Sequence, residues 1–304
     1  MLGGMKTSKA TSVLSARAND TDRKFSFLPQ LYESEAYRLE GGLRTRGIYK
    51  HSLPGKPLIT VITVVFNGAK TLRDTIESVQ RQGYGNIEHI IVDGGSSDAT
   101  VDILRQYDQV IDYWLSEKDG GIYDAMNKGI ALCSGDYIGM LNSDDMFADS
   151  HVLQDVADRF CRTQVDAVFS CLNIVDKTNL KKIVRKYRVS KFNAMLLRIG
   201  VMPPHPTFYC KKSCYKEAGM YKTDYKIAAD FEMLVRLLIR QNISWSFIDK
   251  VTVTMRSGGV SNSGFMAAVK LNSEIIRACK ENGLYSHWLL LMLKLPIRLL
   301  ELIR

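Results

Sequence analysis

The stretch LITVITVVFNGAKTLRDTIESVQRQGYGNIEHIIVD, from Leu58 to Asp93, decides the fold. Its first part, Leu58–Phe66, is a continuous apolar run rich in β-branched residues, which is typical of a strand buried on both faces. Apolar residues at helical spacing follow in Ala69–Gln82, and Ile87–Asp93 is a second buried run. A strand, a helix and a strand in this order predict a right-handed crossover between parallel strands.

The same alternation continues along the chain. It predicts helices at Asp98–Tyr107 and Ile122–Cys133 and strands at Ile111–Leu115 and Tyr137–Leu141. The pattern as a whole predicts an α/β fold with a mostly parallel central sheet flanked by helices. In such sheets ligands bind beyond the carboxyl ends of the strands.

Polar residues follow three of the predicted strands at the point where each strand ends. Asn67 follows the first strand, Asp93 and two glycines end the second, and NSDD at residues 142–145 follows the fourth. We therefore expect these residues to converge in one site. The run VDGGSSD does not match GxGxxG, which disfavours a dinucleotide-binding turn. Asp93 either accepts hydrogen bonds from a base or ribose, or closes a tight turn by bonding its own backbone.

The adjacent carboxylates Asp144 and Asp145 predict a cation site. Two neighbouring carboxylates that are partly desolvated at a strand end repel each other, so a cation must offset them. Mg²⁺ or Mn²⁺ with oxygen ligands does this and also bridges the phosphates of a substrate. The alternative is an acidic turn that caps the helix beginning near Asp149.

A further acidic pair lies in the amphipathic segment Ile227–Arg240, where Asp230 and Glu232 occupy the first turn of a predicted helix. Acidic residues there suit the helix dipole, which is the structural explanation. The functional alternative is a general base presented at the helix N-terminus.

Composition sets limits on the class of protein. The chain has 304 residues, 46% hydrophobic and 24% charged residues, and a formal net charge of +9. These values are ordinary for a globular protein. The positive charge suits polyphosphate substrates or an anionic membrane surface, and no nucleic-acid-binding motif is present, so we expect no nucleic acid partner. The six cysteines lack CxxC spacing and predict buried, reduced thiols, and we see no secretory signal pattern at the N-terminus.

Two basic or apolar segments suggest contact with a partner. Lys181–Lys191 is rich in Lys and Arg, which fits an anionic acceptor or membrane surface, or else an edge strand protected by lysines. From Arg277 to Arg304 we predict a helix with a broad apolar face, bent or broken at Pro296. This segment is too short and interrupted to span a bilayer. We expect a peripheral membrane contact or a homodimer contact, and the alternative is that the segment docks on the preceding domain of the same chain.

Four segments together resemble the family 2 glycosyltransferases with the GT-A fold. They are ITVITVVFNGAKTLRDTIESVQRQ, IEHIIVDGGSSDAT, GIYDAMNKGIALCSGDYIGMLNSDD and IAADFEMLVRL, in the order of the family. The polar composition before the prolines at positions 54 and 57 predicts a partly flexible N-terminal extension in residues 1–55, and the resemblance implies a catalytic domain in residues 56–262. Within that domain, residues 56–148 would form the nucleotide-sugar half and residues 149–262 the acceptor half. A C-terminal helical segment, residues 263–304, would follow.

The resemblance also implies roles for individual residues. Asp230 matches the second acid of the family's catalytic pair and would be the base, although the first position of the pair is Ala229. Asp145 would bind the metal. Independently of the resemblance, His205 lies between prolines in a predicted loop, where it would complete the metal shell, contact the acceptor or serve a structural role. Lys128 would supply a positive charge, since Met126 replaces an arginine that is common in the family. The residues expected at the nucleotide sugar are Val64, Phe66, Asn67, Asp93, Asn127, Lys128 and Asp144.

The function implied is a metal-dependent, inverting transfer of a hexose-type sugar from a nucleotide-diphosphate donor, with UDP as the expected nucleotide. The acceptor would be a hydroxyl of a glycan or lipid-linked glycan, in the cytoplasm or on the cytoplasmic face of the inner membrane. Two other functions stay open on the sequence. One is a sugar-phosphate nucleotidyltransferase, and the other is a non-catalytic, membrane-peripheral binding protein.

Overall fold

A ten-stranded sheet organises the part of the chain that the structure, a computed structural model, describes, namely residues 38–258 and 265–294. The strands are β1 Leu39–Gly41, β2 Ile59–Val65, β3 Ile87–Asp93, β4 Tyr113–Ser116, β5 Tyr137–Met140, β6 Asp145–Phe147, β7 Ala167–Val175, β8 Ile183–Tyr187, β9 Tyr209–Lys211 and β10 Trp245–Arg256. The helices are α1 Leu72–Gln80, α2 Thr100–Gln106, α3 Ile122–Leu132, α4 Val152–Thr163, α5 Lys212–Ala218, α6 Ala229–Val235, α7 Phe265–Glu281 and α8 Trp288–Met292.

The half of the sheet that contains β2 is parallel, as predicted. The strand order is β1-β4-β3-β2-β5-β9-β7-β10-β6, and β4, β3, β2 and β5 run in the same direction. Every residue of β2 and β3 is buried, which explains why both strands are continuous apolar runs. The predicted strands and helices between Leu58 and Leu141 are confirmed, with ends within three residues of those expected.

The other half of the sheet is mixed. Strand β9 runs antiparallel to β5 and β7, β6 runs antiparallel to β10, and only β7 and β10 are parallel to each other. Strand β8 pairs with β7 alone and lies within the basic segment Lys181–Lys191, of which it contains Arg185 and Lys186. This part of the segment is therefore an edge strand on which basic side chains hinder pairing with another chain.

The C-terminal end of the chain differs from expectation. In the N-terminal extension, which was expected to be flexible only in part, β1 pairs with β4 at the edge of the sheet. Residues 1–37, where the flexible first part was expected, lie outside the described residues. The prediction of one helix from Arg277 onwards is wrong. Gly283, with a φ of +74°, ends α7 in a left-handed conformation before α8 begins. The break expected at Pro296 lies outside the described residues.

Helices cover both faces of the sheet and bury the core against it. The largest apolar cluster joins β2, β3 and β5 to α3, α6 and α7, and a second joins the opposite face to α4. Of the six cysteines, five are buried and free as expected, whereas Cys161 on α4 is exposed. Within residues 38–258 and 265–294, no helix combines the length and the apolar character needed to cross a membrane.

Candidate active site

The end of β2 presents an aromatic ring beside a structured turn. Phe66 is 67% exposed, whereas Val64 is packed into the core and its carbonyl accepts a hydrogen bond from the backbone N–H of Ser143 (3.3 Å). Asn67 has a φ of +51°, a left-handed conformation that asparagine tolerates better than most residues. Its side-chain Oδ1 accepts a hydrogen bond from the N–H of Ser97 (2.9 Å). Asn67 thus ties the end of β2 to the loop after β3.

Asp93, at the end of β3, joins two neighbouring loops. Its carboxylate is fully buried and accepts hydrogen bonds from the N–H of Ser96 (3.0 Å), the hydroxyl of Ser96 and the hydroxyl of Ser116 (2.6 Å). Ser96 follows β3 and Ser116 ends β4, so the carboxylate stabilises both strand ends. This is the turn-forming role that the sequence left open. The contact of Asp93 with a nucleotide base stays a prediction.

The loop after β5 carries the two adjacent carboxylates. Asp144 is half-buried, and burial raises the pKa of its carboxyl group above the ordinary value. Arg256, at the end of β10, donates a hydrogen bond to the backbone carbonyl of Asp144 (2.8 Å) and forms an ion pair with Asp74. The guanidinium therefore holds the loop in place through its backbone and leaves the Asp144 carboxylate for other contacts.

Asp145 is the most unusual polar group of this loop. It is completely buried at the start of β6, and burial, together with the charge of Asp144, raises the pKa of its carboxyl group well above the ordinary value. Among the described residues, neither of its carboxylate oxygens has a hydrogen-bond partner, and the side-chain oxygen of Asn142 also lacks one. Buried oxygens without partners are costly, so a native protein retains them where a ligand or an ion completes their coordination.

These unpartnered oxygens fit a hard divalent cation. Mg²⁺ and Mn²⁺ prefer oxygen ligands, and Mg²⁺ is commonly held by one or two carboxylates while substrate phosphates and water complete its shell. In the described part of the chain, no three His, Cys, Asp or Glu side chains come together as a metal site. A cation at Asp145 would therefore take most of its ligands from a phosphate-bearing substrate and from water.

A second group of residues surrounds Asp230, in the first turn of α6. The Asp230 carboxylate accepts a hydrogen bond from the N–H of Phe231 (2.8 Å). Burial raises the pKa of its carboxyl group, an effect that the nearby imidazole of His205 partly offsets. Nε2 of His205 lies 2.8 Å from the hydroxyl of Tyr221. Burial lowers the pKa of His205, and the charge of Asp230 opposes this effect, so the two side chains are close enough to interact. The role of His205 as a metal ligand stays a prediction.

The two acids in the first turn of α6, Asp230 and Glu232, have different surroundings in the structure. Glu232 is completely buried and is bound by Arg236 (2.5 Å), Lys222 (3.1 Å) and Asn282 (3.1 Å). All of these contacts serve packing, because they tie α6 to the chain around it. Asp230 lacks such an ion pair among the described residues, so it is the member of the pair that is available for proton transfer.

Helix α3 contacts both the segment before α6 and the segment after β4. Tyr123 donates a hydrogen bond to the carbonyl of Ile227 (2.5 Å), just before α6. Asn127 uses its amide to bind both the N–H and the carbonyl of Tyr221. On the other side of the helix, Lys128 is buried and forms an ion pair with Glu117 (2.7 Å), which follows β4. Asn127 and Lys128 thus have structural partners, and their contacts with a nucleotide sugar stay predictions.

Asp119 belongs to this site and was missed by the sequence analysis. Its carboxylate lies so close to Gly94 that a Cβ on Gly94 would come within 2.6 Å of an Asp119 oxygen. Burial raises the pKa of Asp119, and the charge of Asp93 contributes to the shift. A signal was present, because Asp119 is followed by two glycines after a strand, as Asp93 is.

Comparison with known proteins identifies relatives of this chain. The sequence model described as "Glycosyl transferase family 2" matches residues 60–219. An uncharacterized glycosyltransferase of Mycobacterium tuberculosis is 35% identical over 184 residues, which cover 59% of this chain and 68% of that protein. The PGL/p-HBAD biosynthesis glycosyltransferase of Mycobacterium bovis is 26% identical over 212 residues, covering 68% of this chain and 80% of that protein.

Solved structures share the fold at low sequence identity. Residues 1–349 of Staphylococcus aureus TarS, crystallised with UDP-GlcNAc, align with a TM-score of 0.58 and 18% identity, covering 75% of this chain and 68% of that fragment. The mannosyltransferase PcManGT of Pyrobaculum calidifontis, in complex with GDP-Man and Mn²⁺, aligns with a TM-score of 0.56 and 16% identity, covering 86% of this chain and 69% of that chain. These matches confirm a GT-A type α/β fold.

Proposed function

Because the chain belongs to glycosyl transferase family 2 and is a glycosyltransferase, we propose that it transfers a hexose-type sugar from a nucleotide-diphosphate donor with inversion at the anomeric carbon. The observation that carries this proposal is a pair of sites, each with a carboxylate that has no ion pair among the described residues. One contains the unpartnered carboxylate Asp145, and the other contains the available carboxylate Asp230. The first suits a donor diphosphate and the second suits an acceptor hydroxyl.

Asp230 acts as the general base in this proposal. It takes the proton from the acceptor hydroxyl while that oxygen attacks the anomeric carbon and the bond to the nucleotide diphosphate breaks. A single displacement inverts the configuration, and it needs one carboxylate base and no carboxylate nucleophile. The raised pKa of Asp230 fits this task, because a stronger base takes the proton more readily.

The donor diphosphate would be bound at Asp144 and Asp145. Asp145 supplies the unpartnered oxygens that would hold Mg²⁺ or Mn²⁺, and Asp144 is close enough to raise the pKa of Asp145 through its charge. When bound there, the cation offsets the negative charge of the diphosphate leaving group. The presence of Mn²⁺ with GDP-Man in the structure of PcManGT supports this assignment.

The nucleoside would lie at the ends of β2 and β3. Phe66 offers an exposed ring on which a base can stack, and Asp93 lies behind the loop that lines the same edge. We expect UDP to be the preferred nucleotide, in agreement with the UDP-GlcNAc bound to TarS. We propose a glycan or a lipid-linked glycan as the acceptor, since the M. bovis relative belongs to PGL/p-HBAD biosynthesis.

A donor-hydrolysis screen tests the proposed function. Purified protein is incubated with UDP-, GDP- and dTDP-hexoses in Mn²⁺, in Mg²⁺ and in chelator, and the released nucleotide is measured. We expect release from a UDP-sugar that requires the cation and that accelerates when a glycan acceptor is added. Release that persists unchanged in chelator would contradict the metal site. If no donor is cleaved or bound under any condition, the proposal is wrong.

We also propose that α8 faces an anionic membrane that carries the acceptor. Five exposed apolar or aromatic side chains lie on or beside this helix: Tyr285, Trp288, Leu289, Met292 and Leu293. Arg198 lies over the ring of Tyr285, and Lys191, seven residues before Arg198, is exposed. From residue 282 onwards the sequence contains one acidic residue, Glu301. Tryptophan and tyrosine favour the interfacial region of a bilayer, and the positive charges complement anionic lipids.

Vesicle sedimentation measures this contact. We expect the full-length protein to pellet with vesicles containing phosphatidylglycerol, more weakly at high salt and more weakly with neutral vesicles. Leu289→Glu should lower binding by about tenfold, because it places a charge on the inserting face. Val110→Glu, which changes an exposed apolar residue elsewhere, should leave binding unchanged. If the protein sediments with neither type of vesicle and forms a dimer that Leu289→Glu dissociates, α8 is a dimer contact instead.

A further inference from the structure

The chain segment that leads into α6 is held by a side chain from α7. Glu274 is almost completely buried, and its carboxylate accepts hydrogen bonds from three consecutive backbone N–H groups. These belong to Lys226 (3.0 Å), Ile227 (2.9 Å) and Ala228 (2.9 Å). Asp230 is only two residues further along the chain. Glu274 therefore binds the backbone directly before the turn that carries the proposed base.

The same segment is held from the opposite side by α3. The carbonyl of Ile227 accepts the hydrogen bond of Tyr123 while its N–H donates to Glu274. Both polar groups of this peptide are thus fixed by side chains from two different helices. Backbone torsions immediately before a helix set the direction of its first turn, so these contacts determine where the Asp230 carboxylate points.

Helix capping alone does not explain the arrangement. A side-chain cap accepts a hydrogen bond from one N–H group within the first turn, and α6 has no such cap of its own. Glu274 instead binds N–H groups that precede the helix, and it brings a second carboxylate near Asp230, where its charge raises the pKa of Asp230. Placing a buried acid beside the base is unfavourable unless the position of the backbone matters.

We infer that Glu274 is a positioning residue for sugar transfer, which holds the Lys226–Ala228 backbone so that Asp230 is presented to the acceptor hydroxyl. The inference rests on the proposed function, in which Asp230 is the base. It places α7 in the catalytic apparatus, although the family model ends at residue 219, well before this helix. Misplacing a catalytic group by about 1 Å can lower a rate by roughly 100-fold, so loss of this contact should affect the chemical step.

The test compares Glu274→Gln with Glu281→Gln in the full-length protein. Glutamine keeps the size of the side chain but replaces one acceptor oxygen with an NH₂ group that opposes a backbone N–H. Glu281 is on the same helix and binds Lys222, Tyr225 and Arg277 without touching residues 226–228. Its replacement therefore removes contacts of α7 with the same region but leaves the backbone of residues 226–228 bound.

We expect Glu274→Gln to lower kcat for transfer by roughly 10- to 100-fold while the donor KM stays within about twofold of wild type. Glu281→Gln should keep both constants within about twofold, and Glu274→Asp, which retains two acceptor oxygens, should recover part of kcat. Thermal unfolding shows that each variant is folded before the rates are compared.

Two outcomes would overturn the inference. One is a wild-type kcat in Glu274→Gln, and the other is an equal loss in Glu281→Gln, which would mean that any weakening of α7 has the same effect. These outcomes differ from a failure of the proposed function itself, because in that case the wild-type protein would show no transfer at all.

Discussion

Asp230→Asn should lower the rate of sugar transfer by about 10²- to 10⁴-fold, because the acceptor hydroxyl then loses its general base. The donor should still bind with wild-type affinity, since Asp230 lies in the group around α6 and not in the loop that carries Asp144 and Asp145. Transfer to an acceptor and binding of the nucleoside diphosphate are measured separately, the first by product formation and the second by calorimetry.

Asp224→Asn is the matched control for this variant. Asp224 is an exposed acid in the preceding loop and forms an ion pair with Arg277, so its change should leave transfer unaffected. The pH dependence gives a second check. Burial raises the pKa of Asp230, so the wild-type rate should fall, as the pH is lowered, at a higher pH than for an ordinary aspartate. Transfer by Asp230→Asn at the wild-type rate would exclude Asp230 as the base.

Asp145→Asn should abolish the metal-dependent part of donor binding, with an affinity loss of about 100-fold or more. The substitution retains the shape of the side chain but removes the negative charge that would hold the cation. In chelator the variant should unfold at the same temperature as wild type or a higher one, because the wild type then carries a buried carboxyl group without a partner. Both effects together are expected only of a cation site.

The measurements for Asp145→Asn are nucleoside diphosphate binding with and without Mn²⁺, and thermal unfolding in chelator. Asp149→Asn serves as the control, since Asp149 is an exposed acid beyond β6 that pairs with Lys250. If Asp145→Asn binds the nucleotide with the metal dependence of wild type, Asp145 is not the ligand. A large loss of stability in chelator would instead indicate that the carboxyl group has a structural role in the metal-free protein.

The parallel half of the sheet could be predicted from the sequence because its information is local. Strands β2 and β3 are buried on both faces, so they are continuous apolar runs that periodicity detects. Glycines and acids after these strands then point to the ligand-binding edge. The mixed half was not predicted in this way, because short strands such as β9 and β6 obtain their register from neighbours far away in the chain.

The candidate active site could likewise be predicted only where its features are local in the sequence. Adjacent carboxylates and an acid in the first turn of a helix are visible in sequence, so Asp145 and Asp230 could be proposed as functional residues. Their environments could not be predicted, since burial and hydrogen bonding depend on residues distant in sequence. Glu232 looks equivalent to Asp230 in the sequence, and only the contacts with Lys222, Arg236 and Asn282 show that it is a structural acid.

The sequence by itself determined the order of strands and helices around β2 and the family of the protein, because both depend on residue types at fixed local spacings. The tertiary structure decided which polar groups lack partners and which are bound. Asp145 is left without a hydrogen bond, Asp93 joins two loops, and Glu274, 44 residues after Asp230, binds the backbone before it. The physical reason is that desolvation and hydrogen-bond satisfaction are properties of a three-dimensional neighbourhood, and no local pattern of residues specifies that neighbourhood.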